Sequence, residues 1–282
     1  MKPTWLIERG VYGEHAEALR AEVQRQGLLC AEVDYRPAKQ PPDDIFGCPP
    51  LTDDACVILW GTLPLMRQIQ LRRKWIPGGW CNIVNLDCAT YYAYFGHYLL
   101  NGYYSMLPGV EALRLEAELF AEFGPDDEVF VRPSGLQKLF TGRAVFRDDF
   151  RTALAPSRYD PTTLVVVSTP KEIGREWRLV IAGDEFIAAS QYRQDGALRA
   201  SRGCPEEVTQ YVSELLRNVR WRPDPLFMMD ICEFDDALHL LELNSFSCSG
   251  LYDCDLPAVI SAASGAAEKE WKATQSESKR AC

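Results

Sequence analysis

The chain has 282 residues, of which 47% are hydrophobic and 25% are charged. This composition is typical of folded globular proteins and excludes disordered and collagen-like chains, and the length predicts two compact units at about 100 to 200 residues per domain. The formal net charge of -10 argues against binding to nucleic acid or to anionic membranes, because it would repel both.

The N-terminal segment does not have the pattern of a signal peptide. Glu8 and Arg9 lie where such a peptide requires an apolar run, and no stretch of the sequence approaches 18 uninterrupted apolar residues. We therefore expect a cytoplasmic protein that does not associate with a membrane.

The first third of the chain alternates strand and helix patterns. Strands are predicted at about 5–8, 28–34 and 55–60, and helices at about 14–26 and 63–74. In the first helix Ala16, Leu19 and Val23 form one apolar face, and Gly27 is a natural C-terminal cap. We expect a doubly wound α/β lobe over residues 1–107, which ends after an aromatic-rich stretch.

The rest of the chain changes to a pattern dominated by strands. A helix is predicted at about 110–123 and another beginning at Pro205, a favoured first-turn residue. Strands are predicted at about 128–132, 142–146, 163–168, 176–182 and 185–191, with two more near the end. We expect a second domain over residues 108–265, followed by a polar tail, 266–282, that is a frayed helix or disordered.

Two adjacent strand patterns near the C-terminus carry paired carboxylates. Residues 226–234 and 238–244 read as two strands of a hairpin. A three-residue loop, 235–237, would place Asp230 directly opposite Glu242, with Cβ atoms about 4.5 to 5.5 Å apart. Because strand side chains alternate, Asn244 shares the face of Glu242.

Opposed carboxylates repel unless a proton or a cation lies between them. Mg²⁺ prefers oxygen ligands and usually binds one or two carboxylates together with phosphate oxygens, which matches Asp230, Glu242 and Asn244. The alternative is a solvated hairpin whose acidic side chains point outward. Spacing alone does not separate these two interpretations.

This pair of strands resembles the metal-ligand strands of the ATP-grasp superfamily, and the resemblance covers roughly residues 108–260. Arg132, which ends the strand Val129-Phe-Val-Arg, resembles the basic residue of the family that contacts ATP phosphates. With Gly135 and Lys138 following, the pattern is similar to the R-to-K clade of the superfamily. Arg132 and Lys138 are therefore implied phosphate ligands, although an arginine at a strand end is also compatible with a surface ion pair.

Two further segments follow the same order. The run from Val165 to Gly174 lies where the family places a hinge that binds adenine, which implies Val167, Ser168 and Glu172 as nucleotide contacts. The following Glu-x-Arg pattern puts Glu176 and Arg178 on one face of a strand, and the resemblance implies catalytic roles there. A cross-strand Glu-Arg pair without a catalytic part remains the alternative.

The resemblance implies an N-terminal α/β lobe followed by a two-subdomain ATP-grasp domain that binds ATP and Mg²⁺. It also implies a carboxylate–amine ligase that forms amide or peptide bonds through an acyl phosphate, with small-molecule or peptide substrates. A phosphotransferase on the same fold and a non-catalytic nucleotide-binding module remain rival interpretations. The sequence leaves the identity of the substrates open, and also the oligomeric state, for which a homodimer is one option.

Overall fold

The computed structural model of the chain describes residues 1–36, 45–137, 139–155 and 160–281, with side chains up to residue 277. The first lobe contains, in chain order, β1 (Thr4–Glu8), α1 (Glu14–Arg25), β2 (Leu29–Val33), β3 (Cys56–Trp60), α2 (Leu63–Arg72) and β4 (Ile76–Gly78). The strands form a parallel sheet in the order β2-β1-β3-β4.

Both faces of this N-terminal sheet are covered. Leu19 and Val23 of α1 pack on one face, and Leu65 and Ile69 of α2 pack on the other. Every residue of β1 and β3 is consequently buried, as expected for strands at the centre of a doubly covered parallel sheet. The predicted doubly wound α/β lobe is confirmed.

The next part of the chain forms a small antiparallel sheet and four helices. In chain order the elements are α3 (Cys88–Phe95), β5 (Ser105–Pro108), α4 (Gly109–Arg114), α5 (Glu116–Phe123), β6 (Glu128–Pro133), β7 (Arg143–Phe146), α6 (Arg147–Ala153) and β8 (Leu164–Ser168). The strand order is β5-β8-β6-β7. Val131 and Val167 pack with Phe120 and Phe150 in a core on one face of this sheet, so that the alternating residue Arg132 belongs to the opposite face.

The large antiparallel sheet completes the fold. Its elements are β9 (Arg175–Ala182), β10 (Glu185–Gln194), β11 (Ala197–Arg202), α7 (Glu206–Asn218), β12 (Leu226–Phe234), β13 (Ala237–Ser245) and the long helix α8 (Leu256–Ala281). The strand order is β11-β10-β9-β12-β13. No helix within the described residues has both the length and the apolar character needed to span a bilayer.

The two faces of the large sheet have different partners. Trp177 and Met229 face a core that includes α3 and α7, whereas Val180 and Met228 pack with α8 and with Trp5 of the first lobe. Glu176, Arg178 and Asp230 alternate onto this second face, beyond the end of its apolar packing. Helix α8 and the first lobe therefore cover one part of this face, and the part that carries Glu176 and Arg178 lies opposite the small sheet.

Several elements differ from the sequence predictions. The helix predicted at 110–123 is two successive helices, α4 and α5, and the elements α3, β4, β5, α6 and β11 were not predicted. The aromatic stretch that we interpreted as a boundary contains α3, whose side chains Cys88, Tyr91, Tyr92 and Phe95 are buried. The domain limits at 107 and 265 stay predictions; α8 runs across the second of them without a break.

Candidate active site

The β12–β13 hairpin is joined by a shorter turn than the sequence analysis predicted. Phe234 pairs with Ala237, so the connection consists of Asp235 and Asp236 alone. Both residues have left-handed backbone conformations, with φ of 51° and 57°, as a two-residue hairpin turn of the primed type requires. The predicted three-residue loop is wrong.

A β-bulge restores the predicted pairing further along the hairpin. Ile231 pairs with Leu240, but Asp230 pairs with Glu242, so Leu241 is an extra residue in β13. The bulge shifts the register by one residue, which compensates for the shorter turn. The prediction that Asp230 lies opposite Glu242 is therefore confirmed, for a reason that the sequence analysis did not contain.

The same bulge changes which side chains reach the cleft between the small and large sheets. In a regular strand, neighbouring side chains point to opposite faces, whereas Leu241 and Glu242 both line this cleft. Glu242 thus faces Asp230 on the side of the sheet that the first lobe leaves uncovered.

Asp230 forms a buried ion pair with Arg178 on the neighbouring strand β9. The guanidinium donates two hydrogen bonds to the carboxylate, at 2.9 and 2.7 Å, and the exposed fractions of the two residues are 7% for Arg178 and 0% for Asp230. Burial opposes the charge of Arg178, but the attraction of Asp230 outweighs it, and the pKa of the guanidinium lies above its ordinary value. The guanidinium of Arg178 is therefore charged at neutral pH.

Glu242 forms the second ion pair of the cleft, and this pair joins the two sheets. Arg132 on β6 of the small sheet donates from Nη2 to Glu242 Oε2 at 3.1 Å. The Asn244 amide nitrogen donates to Glu242 Oε1 at 2.8 Å and to Asp230 Oδ2 at 3.2 Å. Each carboxylate is therefore paired with an arginine, and the amide bridges the two carboxylates.

The chemistry of this donor set suits a hard divalent cation. Asp230 and Glu242 supply carboxylate oxygens from adjacent strands, and Asn244 lies between them. A rotation of the Asn244 amide exchanges its nitrogen and its oxygen, and would turn the oxygen toward a cation. Among the described residues, no group of three or more His, Cys, Asp or Glu side chains forms a separate metal-binding cluster.

A second bulge, in β10, places two further side chains beside Glu176. Gln191 pairs with Trp177 and Arg193 pairs with Glu176, so Tyr192 is an extra residue. Tyr192 Oη donates to Glu176 Oε2 at 2.6 Å, and Arg193 Nε lies 3.8 Å from Glu176 Oε1. Regular alternation would place only one of two neighbouring residues on this face, which is why the sequence analysis missed Tyr192 and Arg193.

The cleft is a cavity of about 320 Å³ between the small and large sheets. Its polar lining includes Arg132, Glu176, Arg178, Arg193 and Glu242. A second cavity of about 450 Å³ is also lined by Glu176 and Arg193, and extends to Lys171 and Glu172 in the connection between β8 and β9. Together the two cavities lead from Glu242 to the predicted hinge.

The hinge residues occupy different environments. Val167 is part of the core of the small sheet, and Glu172 lines the second cavity. Ser168 is fully buried at the end of β8, and its hydroxyl has no hydrogen-bond partner among the described residues. The side chains of Val167 and Ser168 do not line either cavity, so a nucleotide contact there would have to involve the main chain.

The glycine-containing loop after β6 lies close to the cleft. A Cβ atom on Gly142 would lie 3.0 Å from Cβ of Arg132 and 3.0 Å from Cζ of Phe130, so a larger residue would displace the side chains that line the cleft. Lys138, the other predicted phosphate ligand, lies outside the described residues.

Comparisons with known proteins agree on the fold. The family described as "ATP-grasp domain, R2K clade family 2" matches residues 115–262. The ATP-grasp ligase PsnB, solved with a minimal precursor, is 15% identical with a TM-score of 0.55, and the match covers 94% of this chain and 99% of PsnB. D-alanyl-alanine synthetase A from Vibrio cholerae is 12% identical with a TM-score of 0.62, over 96% of this chain and 99% of its own. D-alanine–D-alanine ligase from Bacillus anthracis is 12% identical with a TM-score of 0.59, over 99% of this chain and 100% of its own.

At these identities the solved structures show a shared fold and nothing finer. No curated protein matches the chain in sequence. The family match spans more than half of the chain and includes the strands that carry Arg132, Arg178, Asp230, Glu242 and Asn244. The chain therefore belongs to the ATP-grasp R2K clade, family 2.

Proposed function

We propose that the chain is an ATP-dependent carboxylate–amine ligase that forms an amide or peptide bond. The observation that carries this proposal is the pairing of two arginines with two carboxylates along the cleft, Arg178 with Asp230 and Arg132 with Glu242. Four charges of alternating sign, close together and mostly shielded from water, provide ligands both for a divalent cation and for phosphate oxygens.

Asp230, Glu242 and Asn244 are the residues that would hold Mg²⁺. When bound, the ion neutralises charge on the ATP phosphates. Arg132 and Lys138 would bind those phosphates, and Arg178 would stabilise charge on the phosphoryl group as it moves to the substrate carboxylate. We include Arg193 among the cations available to an anionic ligand, because it lines both cavities.

The hinge end of the cleft is the proposed position of the nucleoside. Glu172 and Glu176 line the second cavity, and their carboxylates are suitable acceptors for ribose or adenine donors. Main-chain groups of Val167 and Ser168 would contact the adenine.

In the reaction that we propose, a substrate carboxylate attacks the γ-phosphate of ATP and forms an acyl phosphate as the bond to the bridging oxygen breaks and ADP leaves. An amine then attacks the acyl carbon, loses a proton and displaces inorganic phosphate to form the amide. The contribution of the protein is to position the two reactants and to neutralise charge, since phosphoryl transfer needs little else.

The substrates that we propose are small-molecule or peptide carboxylates and amines. PsnB was solved with a precursor peptide and AMPPNP, and also with a minimal precursor, Mg and ADP, whereas another neighbour is the D-cycloserine synthetase DcsG. Proteins of this fold therefore include ligases solved with peptides and synthetases of small molecules, and the choice between them depends on side chains around the cleft.

Product analysis tests the proposal. The purified protein would be incubated with Mg–ATP and mixtures of amino acids, peptides and cell extract, and the products identified by mass spectrometry. We expect ADP, inorganic phosphate and a new amide whose mass equals that of the two substrates minus water. A stable phosphorylated product would instead establish a phosphotransferase, and tight ATP binding without any product would establish a binding module.

A further inference from the structure

Two stacked tyrosine rings lie beside the guanidinium of Arg178. Cζ of Arg178 lies 5.6 Å from the ring centroid of Tyr192 and 5.2 Å from that of Tyr252. The rings stack on each other, with centroids 4.9 Å apart and an angle of 8° between their planes. Both distances are within the range of about 6 Å over which a cation is attracted to an aromatic face.

The backbone of Tyr252 is held in an unusual conformation. Its φ is 48°, in the left-handed region that bulky side chains rarely adopt. Such strain persists only where the surroundings hold the residue in place, and it is concentrated at functional sites.

The surroundings of Tyr252 provide this constraint. Leu251 and Cys254 are buried in the core beside α8, and the backbone N–H of Asp253 donates to Ser190 Oγ at 3.2 Å. Arg178 itself donates from Nη1 to the carbonyl oxygen of Gly250 at 3.2 Å. The segment 250–254 is thus fixed on both sides of Tyr252, and its ring is held against Tyr192.

The ring pair has a role that Asp230 alone cannot fill. Under the proposed function Asp230 is also a metal ligand, and a carboxylate that binds a cation is a weaker partner for Arg178. The two rings and the Gly250 carbonyl then remain to hold the guanidinium toward the phosphates. Since these contacts do not involve a charged partner, they leave the charge of Arg178 available to an anion.

We propose that Tyr252, together with Tyr192, is a positioning residue that holds Arg178 for recognition of the terminal phosphate of ATP. This inference rests on the proposed function, in which Arg178 contacts the transferred phosphoryl group. It gives the site a means of distinguishing a nucleoside triphosphate from a diphosphate, since only the triphosphate carries the group that Arg178 contacts.

The test compares the affinities of Mg–AMPPNP and Mg–ADP, measured by titration calorimetry on the full chain. Tyr252→Leu should weaken Mg–AMPPNP binding about 3- to 30-fold, the range expected for lost cation–π contacts, and leave Mg–ADP binding within about twofold. Tyr252→Phe keeps the ring and should restore the discrimination. Tyr252→Asn, which tolerates a left-handed backbone, serves as a second ring-deleting variant if the leucine variant does not fold.

Tyr94 provides a matched control, because it stacks on Trp221 with centroids 4.4 Å apart and planes 5° apart but does not line the cleft. Tyr94→Leu should bind both nucleotides as the unmodified protein does. The inference is overturned if the ring-deleting variants lose affinity equally for both nucleotides or lose no affinity at all. It is also overturned if Tyr252→Phe does not restore discrimination, or if Tyr94→Leu loses as much affinity for Mg–AMPPNP. If the unmodified protein binds neither nucleotide, the proposed function itself fails.

Discussion

The exchange of Glu242 for glutamine should have opposite effects on nucleotide binding with and without magnesium. The variant keeps the shape of the side chain and removes its charge. In the proposed site this replaces a charged metal ligand with a neutral amide oxygen and also removes the charge that Arg132 pairs with at 3.1 Å. The metal-dependent part of binding should therefore weaken, while the attraction of Arg132 for phosphate should strengthen.

The structure gives approximate magnitudes for both effects. A change to a group that supports a metal ligand typically lowers metal affinity about 10- to 100-fold, so replacing a charged ligand with a neutral one should lower the affinity of Mg²⁺ at least about 10-fold. The Arg132 and Glu242 side chains are 17% and 19% exposed, and solvent screening reduces their attraction to about 1 kcal/mol. Removing that competitor should improve metal-free ATP binding about fivefold.

Calorimetric titration with AMPPNP, in EDTA and in excess Mg²⁺, measures both quantities. Glu233→Gln is a matched control, because Glu233 is also a strand carboxylate paired with an arginine, Arg175, but does not line the cleft. Glu233→Gln should keep the magnesium dependence of the unmodified protein. If Glu242→Gln keeps it as well, the assignment of Glu242 as a metal ligand is wrong.

Three further predictions concern Arg178, Asp224 and Gly142. Arg178→Ala should lower the free energy of unfolding in urea by about 3–5 kcal/mol, because it leaves the buried carboxylate of Asp230 without its main partner. A decrease below about 1 kcal/mol would argue against the buried pair. Burial raises the pKa of Asp224 to about 7, so the folded protein holds a proton that the unfolded chain releases near pH 4. The free energy of unfolding should therefore fall as pH rises from about 4 to 7. Asp224→Asn should reduce this fall, and urea unfolding at both ends of the pH range measures it. Gly142→Ala should weaken Mg–AMPPNP binding several-fold in the same calorimetric assay, since its Cβ would press on Arg132, and unchanged affinity would show that the loop adjusts at no cost to the site.

The predictable part of the site follows from the period of the strands. Alternation alone places Glu176 beside Arg178 and Glu242 beside Asn244, and the structure keeps both pairs on one face of the large sheet. The pairing of Asp230 with Glu242 was also predicted, but the turn that was assumed is wrong. The agreement depends on the bulge at Leu241, which the residue types of the strand do not predict.

The remainder of the site depends on packing between distant segments. The contact between Arg132 and Glu242 joins residues 110 positions apart, and the pairing of Arg178 with Asp230 joins residues 52 positions apart. Tyr192 and Arg193 reach the cleft through a bulge, and Tyr252 does so through a strained backbone. These features are consequences of tertiary structure, which strand periodicity does not encode.

The secondary-structure elements also include some that the sequence predicts and some that it does not. Elements with a clear apolar pattern were predicted, such as the largely apolar strands that became β9 and β12 and the amphipathic helix that became α7. Helix α3 was missed because its face is aromatic and buried, and β11 was missed because all of its residues are exposed and show no alternation. Both types of element lack the amphipathic pattern on which prediction from a single sequence depends.

The most direct test of the account is a crystal structure of the protein with Mg–AMPPNP. We predict a metal ion about 2.1 Å from carboxylate oxygens of Asp230 and Glu242, with the nucleotide phosphates between Arg132 and Arg178 and the adenine beside residues 167–172. A nucleotide bound outside this cleft, or a metal ion without contact to Asp230 or Glu242, would contradict it.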